Sequence, residues 1–182
     1  MLESCLMHEL SPSDLLILGL LAEGSTHGYE LERLIRARRV REWTSLGTSS
    51  IYYVLHRLES RGLIISHKTS SNIKGRREFR LTPAGWQTCI QGSLELIQQI
   101  VPTHAPVLVG IANIDLLDIE GVLTALQERK RGILERLEHL TAARAYPDMP
   151  LSGRLIFDHP VSTLEAELKW IESTTDVLEG TN

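Results

Sequence analysis

With 182 residues, 42% of them hydrophobic, the chain is long enough for one ordinary domain and a second small one, each burying a core. No run of about 18 apolar residues is present, the opening MLESCLMHELSPSD lacks the basic start and apolar middle of a secretion signal, and Cys5 and Cys89 stand far apart without a CxxC pattern, so a membrane-spanning helix and a disulfide scaffold are excluded and a cytoplasmic protein is expected. The net charge of -4 argues against a uniformly basic nucleic-acid binder, but residues 1–90 hold 12 Lys+Arg against 9 Asp+Glu and residues 91–182 hold 7 against 14, so only the first half is suited to phosphates.

Ser11-Pro12-Ser13-Asp14 reads as a helix start, with Ser11 as N-cap, a proline where its missing N–H costs nothing, and an acid near the positive helix end. The following LLILGLL is apolar on nearly every side and predicts a helix buried by its neighbours. After Gly24-Ser25-Thr26 a second helix is expected from about His27 to Arg38, with Leu31, Leu34 and Ile35 on one face and Arg36, Arg38, Arg39 and Arg41 near its negative end. A third helix starts near Thr48 and puts Ile51, Val54, Leu55 and Leu58 on its inner side. Its outer side carries Ser49, Tyr53, His56, Arg57 and Ser60, with Tyr52 on the flank. Gly62 suits the stop, and Leu63-Ile64-Ile65 and the alternating Glu78-Phe79-Arg80-Leu81 predict a hairpin whose long tip holds Lys74, Arg76 and Arg77.

Thr82-Pro83 opens the next helix, expected to reach about Val101 before Pro102, with Trp86, Cys89, Ile90, Leu94, Ile97 and Ile100 in a near-heptad stripe. Residues 102–106 read as a linker, and PVLVGIANI is equally compatible with helix and strand. Asp118 caps a long helix to about Arg144 with Leu123, Leu126, Ile133, Leu137 and Leu140 in register, and the last helix is expected from Ser162 to Leu178.

Three short helices, a hairpin and a following helix make a winged helix-turn-helix, in which the helix after the turn enters the major groove and the hairpin tip touches adjacent backbone. The fold expected is mainly α with a small β-hairpin: a winged helix-turn-helix domain at 1–101, including the linking helix 83–101, then a helical dimerisation domain at 107–182. Arg57 is the residue type suited to a two-pronged hydrogen bond with guanine, Ser49 and Ser50 suit a phosphate oxygen at a helix start, and Tyr53 and His56 suit phosphate or a thymine methyl.

The segments LLILGLLAEGSTHGYEL, SSIYYVLHRLESRGLI and GRREFRLTPAG follow one another in the order and spacing of the hallmark segments of the PadR family of transcriptional regulators, and the acidic second half resembles that family's larger subgroup. The resemblance implies a homodimeric regulator, often a repressor, that binds palindromic double-stranded DNA and loosens from it when a small molecule binds or a cellular stress intervenes; the sequence does not tell whether a small-molecule effector exists, nor its identity or site. It implies Ser49, Ser50, Tyr52, Tyr53, His56 and Arg57 on the recognition helix and Lys74, Arg76 and Arg77 on the wing, with His27-Gly28-Tyr29 structural. The chain departs from many members at Tyr53 and at Gly75-Arg76-Arg77, where they carry a small residue or proline and Gly-Arg-Pro.

Two half-sites need two reading modules about 34–36 Å apart, so dimer contacts are assigned to Trp86, Ile90, Leu94 and Ile97 and to Leu126, Ile133, Leu137 and Leu140. An antiparallel bundle within one chain is the alternative for the same stripes. No HExxH, GxSxG or phosphate-cradling glycine loop occurs, so neither an enzyme nor a cofactor or metal site is expected. The reading from another class is a winged-helix module that binds a protein partner.

Overall fold

A computed structural model describes residues 10–24, 26–47, 50–68, 77–102, 104–144 and 149–180. Two compact units divide the chain at Val101 and Pro102.

In the first unit, α1 (Pro12–Ala22) starts on a complete capping box. Ser11 N–H and its hydroxyl both donate to Asp14 Oδ2 at 2.8 Å, and Asp14 N–H donates back to Ser11 Oγ at 3.3 Å. Leu15, Ile17, Leu18, Leu20 and Leu21 of α1 are all buried, as an all-round apolar helix requires. α2 (Gly28–Ala37) contributes Leu31 and Ile35, and α3 (Ser50–Ser60) contributes Ile51, Val54, Leu55 and Leu58, to one core closed by Val40, Leu46, Ile64 and Phe79.

Glycine ends α3. Gly62 has φ +69, its N–H bonds Glu59 O at 2.9 Å, and Leu63 N–H reaches Leu58 O at 3.0 Å, the paired bonds of a Schellman stop. The expected hairpin forms from β2 (Ile64–Lys68) and β3 (Arg77–Leu81), paired antiparallel with Ser66 opposite Phe79. A strand that the sequence does not announce, β1 (Thr26–His27), pairs with the other edge of β3, giving the order β1-β3-β2. Two residues are too few for an alternating pattern; the pairing comes from the position of the α2 entry beside β3.

α4 (Pro83–Gln98) begins on Thr82, whose hydroxyl accepts from Gly85 N–H at 3.0 Å, and ends three residues before the expected Val101. It seats on the rest of the unit through two glycines. A Cβ on Gly85 would lie 1.9 Å from Leu63 O, and one on Gly92 would lie 2.7 Å from Leu15 Cδ2.

In the second unit the ambiguous segment is helical, α5 (Pro106–Ala112), with proline at its first turn. α6 (Ile119–Arg144) starts where Gly121 N–H donates to Asp118 Oδ1 at 2.6 Å, the cap expected of Asp118. α7 (Leu151–Glu179) begins 11 residues before the expected Ser162 and runs through Pro160. A proline inside a helix costs about 3 kcal/mol and reads as a boundary, but α6 and α7 bury a shared core of Val122, Leu126, Ile133 and Ile171, flanked by Leu137, Leu164, Leu168 and Trp170. Arg129 pairs with Glu167, and Lys130 Nζ with Glu172 at 3.0 Å, along the same contact. Among the described residues, no helix is long and apolar enough to cross a membrane.

Candidate nucleic-acid interface

The four inner residues of α3 are at most 2% exposed, which fixes the helix about its axis and decides what it presents outward. Tyr52 and Tyr53 stand 65% and 66% exposed, and His56 and Ser60 are exposed beside them. Tyr52, which its flank position left between core and surface, is on the surface. Its ring lies over Gly28, where a Cβ would come within 2.9 Å of Cε1, so the start of α2 has to be bare for that ring to lie there. His27 stacks on Tyr29 with centroids 5.6 Å apart and ring planes 11° apart, and His27 Nδ1 lies 3.0 Å from Arg77 O. Gly28, Tyr52, His56, Glu59 and Arg77 line an open cleft of about 360 Å³ between α2, α3 and β3.

Arg57 is not in the outward pose that the helical row suggests. Its side chain turns back onto α1: Nε donates to Asp14 Oδ1 at 3.0 Å, Nη2 donates to the same oxygen at 2.5 Å, and Nη2 also donates to Ser11 Oγ at 3.2 Å. Its Cζ lies 5.1 Å from the centroid of the Tyr53 ring, a cation–π distance. The hydrogen bond to Asp14 pushes the Arg57 pKa up despite the opposing effect of burial, with smaller support from the Asp14 charge and Tyr53. Asp14 is 2% exposed and the Arg57 side chain 30% exposed. Only the carboxylate of the pair is buried, so it is Asp14 that would be left without a charge partner if the guanidinium swung out toward a base.

Ser49, Lys74 and Arg76 lie outside the described residues, as does the side chain of Ser50, the first residue of α3. Arg77, at the start of β3, is half exposed and 3.6 Å from Glu59 Oε2. Arg80, also on β3, is exposed and meets Glu78 at 3.2 Å. Arg61 adds an exposed cation just past the end of α3 that the outward row did not include.

The basic end of α2 is neutralised by acids rather than left as a patch. Arg38 grips Glu23 with bonds of 2.5 and 2.6 Å, Arg41 grips Glu32 with bonds of 3.0 and 2.7 Å, and Arg39 meets Glu42 at 2.7 Å. These bonds hold the Glu23 and Glu32 carboxyls below their ordinary value. Arg38, Arg39 and Arg41 are thereby held against acids of the same unit.

The residues expected at a dimer contact divide sharply. Trp86, Ile90, Leu94 and Ile97 on α4 are exposed, Ile97 by 80%. Leu126 and Ile133 on α6 are buried with Ile171 of α7 in the same chain, Leu137 packs against that cluster, and Leu140 is 7% exposed. The packing of the chain on itself, the alternative for that stripe, accounts for these α6 side chains. Cys89 is half-buried with Sγ 3.9 Å from Leu15 O, and burial pushes its thiol up, away from thiolate chemistry. Among the described residues, no group of three or more His, Cys, Asp or Glu could hold a metal ion.

Residues 17–90 match the model of the transcriptional regulator PadR-like family. No curated protein matches the chain. Among solved structures the chain is similar to Bacillus subtilis PadR in complex with operator DNA, at 20% identity over 92% of this chain and 99% of that one with a TM-score of 0.71. It is likewise similar to Bacillus subtilis PadR in complex with p-coumaric acid, at 19% identity over 91% and 98% with a TM-score of 0.73. The PadR-like transcriptional regulator BC1756 from Bacillus cereus aligns at 14% identity over 95% and 99% with a TM-score of 0.57. The fold is common to all of them.

Proposed function

We propose that the chain, whose residues 17–90 form a PadR-like family domain, binds palindromic double-stranded DNA in the cytoplasm as a homodimer and represses transcription from the bound site. The observation that carries this reading is the outward face of α3, where Tyr52, Tyr53 and His56 project beside β3 and its basic residues. A helix of this size with a row of hydrogen-bonding side chains fits the major groove, and the hairpin next to it fits the flanking phosphates. Ser49, Ser50, Lys74 and Arg76 complete the DNA-contacting set by their places in the sequence. The similarity of fold to a PadR structure bound to operator DNA supports the assignment.

The exposed stripe Trp86, Ile90, Leu94 and Ile97 of α4 is the surface we assign to the second copy. Release by a small aromatic acid is the form of regulation that the p-coumaric acid complex of Bacillus subtilis PadR suggests.

The test is selection of bound fragments from the source genome, followed by affinity measurement over a range of salt. Enrichment of a palindromic site, with log Kd linear in log salt and a slope set by several phosphates, is the expected result. A protein-binding module of the same fold would enrich no fragment, and its association with a partner would respond weakly to salt.

A further inference from the structure

We infer that Arg57 is a positioning residue, held by Asp14 to set the pose of α3 and of Tyr53, and that it does not itself read a base. The inference rests on the DNA-binding reading above and assigns the division of labour within it.

A guanidinium recognises guanine by presenting two N–H groups along one edge of its planar fork. Arg57 has two such edges. The Nε–Nη2 edge lies on Asp14 Oδ1, at 3.0 and 2.5 Å. The Nη1–Nη2 edge has its Nη2 hydrogen directed to Ser11 Oγ at 3.2 Å. Neither edge is left with a free pair for guanine.

Asp14 cannot readily release it. Its other oxygen already accepts from Ser11 N–H and Ser11 Oγ–H, and at 2% exposure it has no water to replace the guanidinium. The bond thus ties the N-terminus of α1 to the outer face of α3 across 43 residues of sequence. The guanidinium also lies against the Tyr53 ring, at 5.1 Å. Tyr53, 66% exposed, is left as the side chain that the strut presents.

The experiment uses the full-length chain and the tightest duplex enriched from the source genome, together with every single base-pair variant of that duplex. Wild type, Arg57→Ala, Asp14→Asn, Tyr53→Ala and the double variant Arg57→Ala/Tyr53→Ala are compared at a temperature where circular dichroism shows each to be folded. Arg57→Lys, which keeps the charge and loses the fork, replaces Arg57→Ala if the alanine variant does not fold.

Positioning predicts that Arg57→Ala and Asp14→Asn each weaken binding about tenfold, and that both relax preference at the base pairs that Tyr53→Ala relaxes. The double variant should bind no worse than Arg57→Ala alone. Two results would overturn the inference. One is loss of preference for guanine at one position in Arg57→Ala that Asp14→Asn and Tyr53→Ala retain, which marks direct reading. The other is wild-type affinity in folded Arg57→Ala, which confines the ion pair to stability. Failure of the wild-type chain to enrich any duplex would be seen before any variant is compared, and it ends the DNA-binding reading itself.

Discussion

Asp14 carries two tasks in one carboxylate: it closes the cap of α1 and anchors Arg57 of α3. Replacing it with alanine should therefore cost about 1–3 kcal/mol, measured as a lowered urea midpoint, because it uncaps a helix and removes the partner of a half-buried guanidinium. Gly85→Ala should be of similar consequence for a different reason. Its Cβ would meet a backbone oxygen at 1.9 Å, which no rotamer change relieves, so a loss of about 1–3 kcal/mol or more is expected in the same assay. The cap was legible from Ser11-Pro12-Ser13-Asp14 because its signal is local. The second partner of Asp14 was not, since nothing in the spacing of Asp14 and Arg57 marks a contact 43 residues away. For the same reason Arg57 looked outward on the helical wheel: a wheel places a Cα direction, and a long side chain can bend back to the flank.

At the scale of elements, α1 was legible from its cap and α3 from its period and the glycine that stops it. Where these signals conflict, the boundary moved. The last helix was expected from Ser162, yet it begins at Leu151 and runs through Pro160, since the apolar face packed on α6 outweighs one lost hydrogen bond. The junction of α1 and α2 has a pH dependence of definite sign. Glu23 and Glu32 have folded-state pKa values below the ordinary 4.5, held down first by hydrogen bonds to Arg38 and Arg41. Their contribution is complete above pH 4.5 and is lost as the pH falls through the folded values. Urea midpoints recorded from pH 6 to pH 3 should fall, and Glu23→Gln combined with Glu32→Gln should start lower and fall less. On α4, Ile97→Glu should shift the chain toward monomer in sedimentation without lowering its melting temperature, because Ile97 is 80% exposed and contributes little to the chain's own core.

For the molecule as a whole, the split of charge favours the first half for the proposed contact with DNA. Residues 91–182 hold 14 acids against 7 bases, so the second half would be repelled by phosphate and the first half must carry the contact. Arg77→Ala should lower the salt slope of DNA binding by about one and weaken all duplexes alike, a phosphate-type effect visible in affinities taken from low to high salt. The close seat of α4 on α1 has a further consequence. α1 meets α3 through Asp14 and meets α4 where a Cβ on Gly92 would lie 2.7 Å from Leu15 Cδ2, so the outer face of α3 and the exposed α4 stripe are carried by elements packed on the same helix. In the proposed dimer joined through that stripe, α4 would act as a ruler: the distance between the two α3 helices would be set by the protein, and the operator would have to match it. Half-sites moved apart by half a helical turn should lose binding altogether, and lengthening a flexible connection elsewhere in the chain should not restore it.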